Sequence, residues 1–154
     1  MAKGNKKYKI YLDVCCLNRP FDEQTQSRIR LETEAILEIV TKFQSGDWEL
    51  IGSTVLESEI EQTRSPTRKE ELRASLLMAK TKILVTQEIT TRAIQLCGLG
   101  FKPYDSLHLA CAENNADAFL TTDDRLLAKA LTYRDNLRVA VYNPIRWFVE
   151  VTTN

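Results

Sequence analysis

The residues of this chain whose types and spacing carry chemistry are acids. Asp13 follows the apolar run YKIYL, and Glu59 lies seven residues beyond Gly52 at the end of WELIG. Asp105 stands two residues after Pro103 at the head of an apolar stretch, and Asp123 and Asp124 directly follow DAFLTT. Each acid alone has an ordinary explanation. Asp123 or Asp124 would cap a following helix, Asp105 would complement a helix dipole, Asp13 would serve a turn, and Glu59 would pair with a buried arginine. Together they point elsewhere, because four carboxylates at one sheet edge repel one another and such a cluster is ordinarily neutralised by a divalent cation.

Glu57 and Glu61 compete with Glu59 for that role. At about 100° per residue, Glu59 falls between Val55 and Ile60, close to Leu56, on the apolar face of its helix. Glu57 and Glu61 point away toward solvent. A carboxylate on the inward face must be paired, protonated or bound to metal, so Glu59 is the candidate.

Other chemistries fail on their own requirements. No phosphate-cradling GxxxxGK[ST] is present, and Gly98-Leu99-Gly100 alone makes no dinucleotide fingerprint. A Ser/His/Asp hydrolase would need His108, the only histidine, and no GxSxG precedes it. His108 lies between Leu107 and Leu109 and reads as a satisfied core histidine. A cysteine phosphatase would place Arg six residues after its cysteine, where Cys15 and Cys16 have Phe21 and Asp22. An aspartyl-phosphate enzyme would place a second Asp at position 15, which is Cys15. The four cysteines lack zinc-site spacing and read as reduced thiols.

The elements that must position the acids alternate in type. Residues 8–14 predict a strand, followed by a loop, CCLNRPFDEQT, broken by Pro20. A helix is expected from Ser27 to Phe43, with Ile29, Ile36, Leu37, Val40 and Phe43 on its apolar face, stopped by Gly46. A strand at 48–52 leads to Ser53 as cap of the helix TVLESEIEQ. Pro66 starts a helix to about Ala79, and residues 82–86 form a third strand. The helix ITTRAIQLC ends at Gly98 and Gly100, and Pro103 opens the buried helix YDSLHLACAEN. DAFLTT, DDRLLAKAL and RVAVY read as strand, helix and strand. The tail NPIRWFVEV is expected to dock as a short helix through Trp147 and Phe148. This order implies right-handed βαβ crossovers. The expectation is a three-layer α/β/α sandwich with a central mostly parallel sheet, as one domain over residues 1–154.

Composition agrees with a globular protein of that size. The chain has 154 residues, 44% hydrophobic and 27% charged, with only 5 Gly and 4 Pro, so long disordered segments are not expected. The 21 basic residues balance the 21 acidic ones, which excludes a global field that would attract nucleic acid. Any polyanion must then be held by a local patch or through a metal. No apolar run suits a signal peptide or a membrane span, so a cytoplasmic location is expected.

With these residues in place, the sequence resembles the PIN-domain family of metal-dependent ribonucleases, which includes VapC-type toxins. The resemblance runs from about Tyr8 to Glu150 and is strongest in YDSLHLACAENNADAFLTTDDRLL. YLDV supplies the first family acid as Asp13, and STVLESEI supplies the second as Glu59. Asp105 matches the third and Asp123 the fourth, with Thr121 matching the family hydroxyl that orients the site. One position departs from the pattern: Cys15 stands where the family usually has Asn or Ser, and Asn18 is the expected substitute.

The resemblance implies hydrolysis of RNA phosphodiester bonds, with Asp13, Glu59, Asp105 and Asp123 as catalytic metal ligands. Hard oxygen donors suit Mg²⁺ or Mn²⁺. It implies an RNA substrate, and an antitoxin protein and a second copy of the chain, as a homodimer, as candidate partners. Two readings stand beside it, a non-catalytic PIN-like RNA- or protein-binding module and a metal-dependent phosphatase. Arg64, Arg68, Lys69, Arg73, Lys80 and Lys82 form a basic run that is either a solvated helix face or an RNA contact. Lys3, Lys6, Lys7 and Lys9 form a second one.

Overall fold

The computed structural model describes residues 6–153; Lys3 of the N-terminal basic run lies outside them. Five strands, β1 (Lys9–Leu12), β2 (Glu49–Ser53), β3 (Thr81–Ile83), β4 (Ala118–Leu120) and β5 (Ala140–Tyr142), form one sheet in the order β3-β2-β1-β4-β5. Every pairing is parallel. Eight α-helices are described: α1 (Val14–Asn18), α2 (Ser27–Ser45), α3 (Thr54–Glu61), α4 (Pro66–Leu76), α5 (Gln87–Gly98), α6 (Pro103–Ala112), α7 (Asp124–Thr132) and α8 (Pro144–Thr152). The expected α/β/α architecture is the one observed.

The strand order follows from the apolar runs. Ile10, Tyr11 and Leu12 in β1, and Ala118, Phe119 and Leu120 in β4, are almost wholly buried. Continuous burial of this kind marks strands covered on both faces. The edge strands β3 and β5 are short and more exposed, and β3 carries Thr81 and Lys82 outward. β1 sits where the chain turns from building one side of the sheet to building the other. A crevice beyond the carboxyl ends of the strands forms at such a switch. Asp13 directly follows β1 there, and Asp123 closely follows β4.

Capping residues set the helix starts. Ser53 Oγ accepts from Leu56 N at 3.0 Å to begin α3, as its position predicts. Ser65 and Thr86 do the same for α4 and α5. Gly46, at φ +82°, ends α2 in the left-handed conformation that glycine adopts without strain. Trp147 of α8 is buried edge-on against Tyr8 and Trp48, the docking expected of the tail.

Several local expectations are corrected. The loop after β1 is helical over Val14–Asn18 and then makes a 3-10 turn over Arg19–Phe21, with Pro20 inside the turn. Asp13 caps this short helix, and Val14, Cys16 and Leu17 bury their side chains, so tertiary packing offsets the cost of a five-residue helix. The buried face of α2 is Glu32, Thr33, Ala35, Ile36, Ile39 and Phe43, while Leu37 is 49% exposed. A charged residue at the centre of that face displaced the apolar reading. α4 stops at Leu76, short of Ala79, and β3 ends at Ile83, leaving Leu84 and Val85 exposed.

Candidate active site

The acids reach one end of the sheet from four elements. Asp13 is buried, with Oδ1 accepting from Val14 N at 2.9 Å and Oδ2 from the Thr121 hydroxyl at 2.8 Å. Thr121 Oγ1 also accepts from Asp123 N at 3.1 Å. One hydroxyl thereby ties the acid after β1 to the acid after β4. Asp123 caps α7, its Oδ1 accepting from Arg125 N and Leu126 N. The capping role considered for Asp123 is therefore met, and Asp13, expected to serve a turn, caps a short helix instead. These caps engage only Oδ1 of Asp123, and a carboxylate oxygen that accepts one hydrogen bond keeps a further lone pair.

The helical-face argument for α3 matches the geometry. Glu59 is half-buried and its Oε1 meets His108 Nε2 at 2.6 Å. Glu57 is turned out to Lys82 and Glu61 to Arg73. Asp124 is likewise removed from the cluster, because Arg28 grips it with two bonds of 2.7 Å and holds its carboxyl below the usual range.

Ligand atoms of Asp13, Glu59 and His108 all lie within 4.8 Å of one another. Asp105 and Asp123 do not belong to that tight group. Asp105 is half-buried in the first turn of α6, and its carboxyl is pushed up by burial and by the charge of Asp123, with a smaller effect of Glu59. Asp13 is pushed well up, first by burial and then by Cys15 and Glu59, while His108 and Thr121 pull it down. The acids thus sense one another's charge, and a hard divalent cation is the partner that relieves both burial and repulsion. The all-oxygen donor set of the acids fits such an ion.

Cys15 occupies the place its departure from the family pattern left in question. Its sulfur lies 3.4 Å from Asp13 Oδ2 and 3.3 Å from Thr121 Oγ1, and it accepts from Thr122 N at 3.3 Å. A hydrogen bond with Cys16, followed by others from Thr121 and Thr122, pulls the Cys15 thiol down to about 6 against the effect of burial. Asn18 does not substitute for it. Its amide bonds Val14 O, and its carbonyl accepts from Arg68 at 2.7 Å.

His108 is the residue that sequence reasoning placed outside the chemistry. It is buried and satisfied as expected, yet one of its two partners is Glu59 and the other is Tyr11, whose hydroxyl lies 2.6 Å from Nδ1. A signal was present, since His108 lies three residues after Asp105 on the same helix face. Half of the basic run is committed to protein contacts. Arg68 binds Asn18, Asp22 and Phe21 O, Arg73 pairs with Glu61 and Glu70, and Lys82 pairs with Glu57. A groove of about 1130 Å³ along α7 and β5 includes none of the four acids. No helix among the described residues is long and apolar enough to cross a membrane.

Comparison with known proteins agrees with this geometry. No curated protein matches the chain. Among solved structures, FitAcB from Neisseria gonorrhoeae superposes with a TM-score of 0.59 at 16% identity, covering 88% of this chain and 97% of that one. FitAB bound to an IR36 DNA fragment superposes with a TM-score of 0.56 at 19% identity, covering 88% and 95%. At these identities the likeness concerns the fold. The PIN domain family matches residues 10–131, a span that holds every acid described above. This chain therefore belongs to the PIN domain family, whose members are generally nucleases.

Proposed function

We propose that this chain is a Mg²⁺- or Mn²⁺-dependent endoribonuclease and the toxin of a toxin–antitoxin pair. The observation that carries the reading is a charge imbalance. Among the described residues, Asp13, Glu59, Asp105 and Asp123 have no Lys or Arg ion pair, and the imidazole that meets Glu59 is that of His108. Asp13 and Glu59 would hold the cation, with Asp105 and Asp123 completing the acidic rim. The bound ion would supply an activated water and stabilise charge on the phosphate. The residues of the chain do the positioning. Val14 N–H and Thr121 Oγ–H fix the Asp13 carboxylate, and the same Thr121 holds the backbone before α7, so the acids after β1 and β4 keep their spacing. Among the described residues, Arg64, Lys69 and Lys80 remain outside the ion pairs of the basic run, and they would contact RNA phosphates.

The partner reading rests on the family and on a fold neighbour, FitAB, that is found bound to DNA. A small DNA-binding protein encoded beside this chain would be the antitoxin, and it should co-purify with the chain when the two are co-expressed.

The experiment is cleavage of end-labelled single-stranded RNA, with a small phosphate monoester as comparison, in Mg²⁺, Mn²⁺ or chelator. Metal-dependent RNA cleavage without ester hydrolysis is expected. Asp13→Asn and Asp105→Asn should each reduce cleavage by more than the roughly 10–100-fold that loss of an outer metal-site partner costs. Ester hydrolysis would instead identify a phosphatase. Absence of cleavage at any metal concentration would identify a binding module.

A further inference from the structure

A chain of hydrogen bonds, buried except at its Glu59 end, runs from the start of α3 across the sheet to Glu59. Leu56 N donates to Ser53 Oγ at 3.0 Å, Ser53 Oγ lies 2.7 Å from the Tyr11 hydroxyl, and that hydroxyl lies 2.6 Å from His108 Nδ1. His108 Nε2 lies 2.6 Å from Glu59 Oε1. Four elements contribute, β2 through Ser53, β1 through Tyr11, α6 through His108 and α3 through Glu59. The ring of Tyr104 stacks over His108 at 6.1 Å and holds its plane.

Hydrogen counting gives the chain a direction. A carboxylate only accepts, so His108 Nε2 must carry a hydrogen toward Glu59. In the neutral ring Nδ1 is then an acceptor, and the Tyr11 hydroxyl must donate to it. That uses the only hydrogen of the phenol, so Tyr11 accepts from the Ser53 hydroxyl. Ser53 has a lone pair left, which takes Leu56 N–H. Every donor finds an acceptor with no conflict, and among the described residues no buried side-chain polar atom lacks a partner. With both ring nitrogens engaged, His108 has no lone pair to offer a metal, although it belongs to the group of three nearby ligand atoms.

We propose that His108 is a positioning residue: braced by Tyr11 and Ser53, it grips Oε1 of Glu59 and leaves Oε2 as the oxygen presented to the cation. The inference rests on the nuclease reading above and adds to it a relay that orients one ligand. Metal-ligating groups are commonly fixed by such outer hydrogen bonds, whose loss lowers affinity by about 10–100-fold.

The test is Mn²⁺ binding to the full chain, followed by the loss of the free-ion EPR signal on titration, with the metal alone as probe. His108→Leu should weaken binding by roughly 10–100-fold. His108→Gln, whose amide N–H reaches the place of Nε2–H, should bind close to wild type. Tyr11→Phe keeps the ring stacked on Phe119 at 5.4 Å and removes only the hydroxyl that selects the His108 tautomer. It should weaken binding in the same direction as His108→Leu, and it decides the matter should that variant fail to fold. The bound Mn²⁺ should show no ¹⁴N coupling. Wild-type affinity in both Tyr11→Phe and His108→Leu would overturn the relay alone, as would a ¹⁴N coupling, which would make His108 a ligand. Failure of the wild type itself to bind Mn²⁺ would overturn the nuclease reading and the relay with it.

Discussion

Three acids are buried among the described residues, and they are satisfied in two different ways. Glu32, on α2, is fully enclosed and receives Arg19 at 2.7 Å, Arg28 at 3.1 Å and the Asn143 amide at 2.8 Å. Glu113, after α6, is clamped by two nitrogens of Arg92 at 2.7 and 3.0 Å and by Arg138 N. Asp13 is equally buried and receives a backbone N–H, a hydroxyl and a thiol, with no cationic side chain. The first two carry their countercharge in the sequence. Asp13 does not, and it lies among three more acids. The difference separates carboxylates that are paired with arginines of the fold from a carboxylate that has no cationic side chain beside it.

Neutralising isosteric changes should therefore act with opposite sign at the two kinds of position. The largest effect is expected at Glu113→Gln, which leaves the Arg92 guanidinium facing a neutral amide. Breaking a buried pair in this way costs about 3–5 kcal/mol, measurable as a fall in the denaturant midpoint. Asp105→Asn should instead leave the metal-free protein as stable as wild type or raise its melting temperature, because it removes one member of a repelling group. Two losses of similar size would remove the distinction between the regions.

The pH dependence sharpens the same contrast. Asp13 and Asp105 are raised in the folded state, so their contribution is fully present below the unfolded value near 4 and is lost as pH rises through the folded values. The metal-free protein should lose this stabilisation on going from about pH 4, the ordinary carboxylate value, to a pH above the raised folded values. A cation binds the ionised carboxylates, so the rise in melting temperature caused by millimolar Mn²⁺ should grow over that interval. The Cys15 thiol, held at about 6, acts in the opposite direction as pH rises, so the comparison belongs in a Cys15→Ser background. A Mn²⁺ shift that is the same at both pH values would mean that the raised acids are not where the ion binds.

The smallest expected effect is at Leu37, on the outer side of α2. Leu37→Ala should change stability by no more than about 0.5 kcal/mol, as exposed positions do, whereas Ile36→Ala should cost about 2–5 kcal/mol. Equal losses would place the buried face where the apolar spacing alone puts it.

That last pair shows why some of the structure was readable from residue order and some was not. Alternating apolar runs and capping residues were enough for the sheet, the α/β/α layers and the inward turn of Glu59, because those are local signals with a fixed period. The face of α2 was not readable, since Glu32 takes a core position only by virtue of Arg19 and of Arg28. The short helix α1 depends on burial against elements far away in sequence, and Asn18 is claimed by Arg68, fifty positions on. His108 differs on another ground. A buried and satisfied histidine ordinarily has no part in a site, whereas here the atom that satisfies Nε2 is a carboxylate oxygen of Glu59. Periodicity reports which side chains face inward but not whom they meet there.

The pairing of β1 with β4 has a consequence for synthesis. Ile10, Tyr11 and Leu12 align with Ala118, Phe119 and Leu120, more than one hundred residues later, and Asp13 N itself bonds Leu120 O. A ribosome making about 5–20 residues per second needs roughly 5–20 s to travel from the first partner to the second. Throughout that interval the nascent chain has one flank of its central strand open and lacks Thr121 and Asp123. Because non-local pairing closes last, the acidic edge is assembled only when the final third of the polypeptide has emerged. A truncated or stalled product would lack the hydroxyl and the acid that complete this edge.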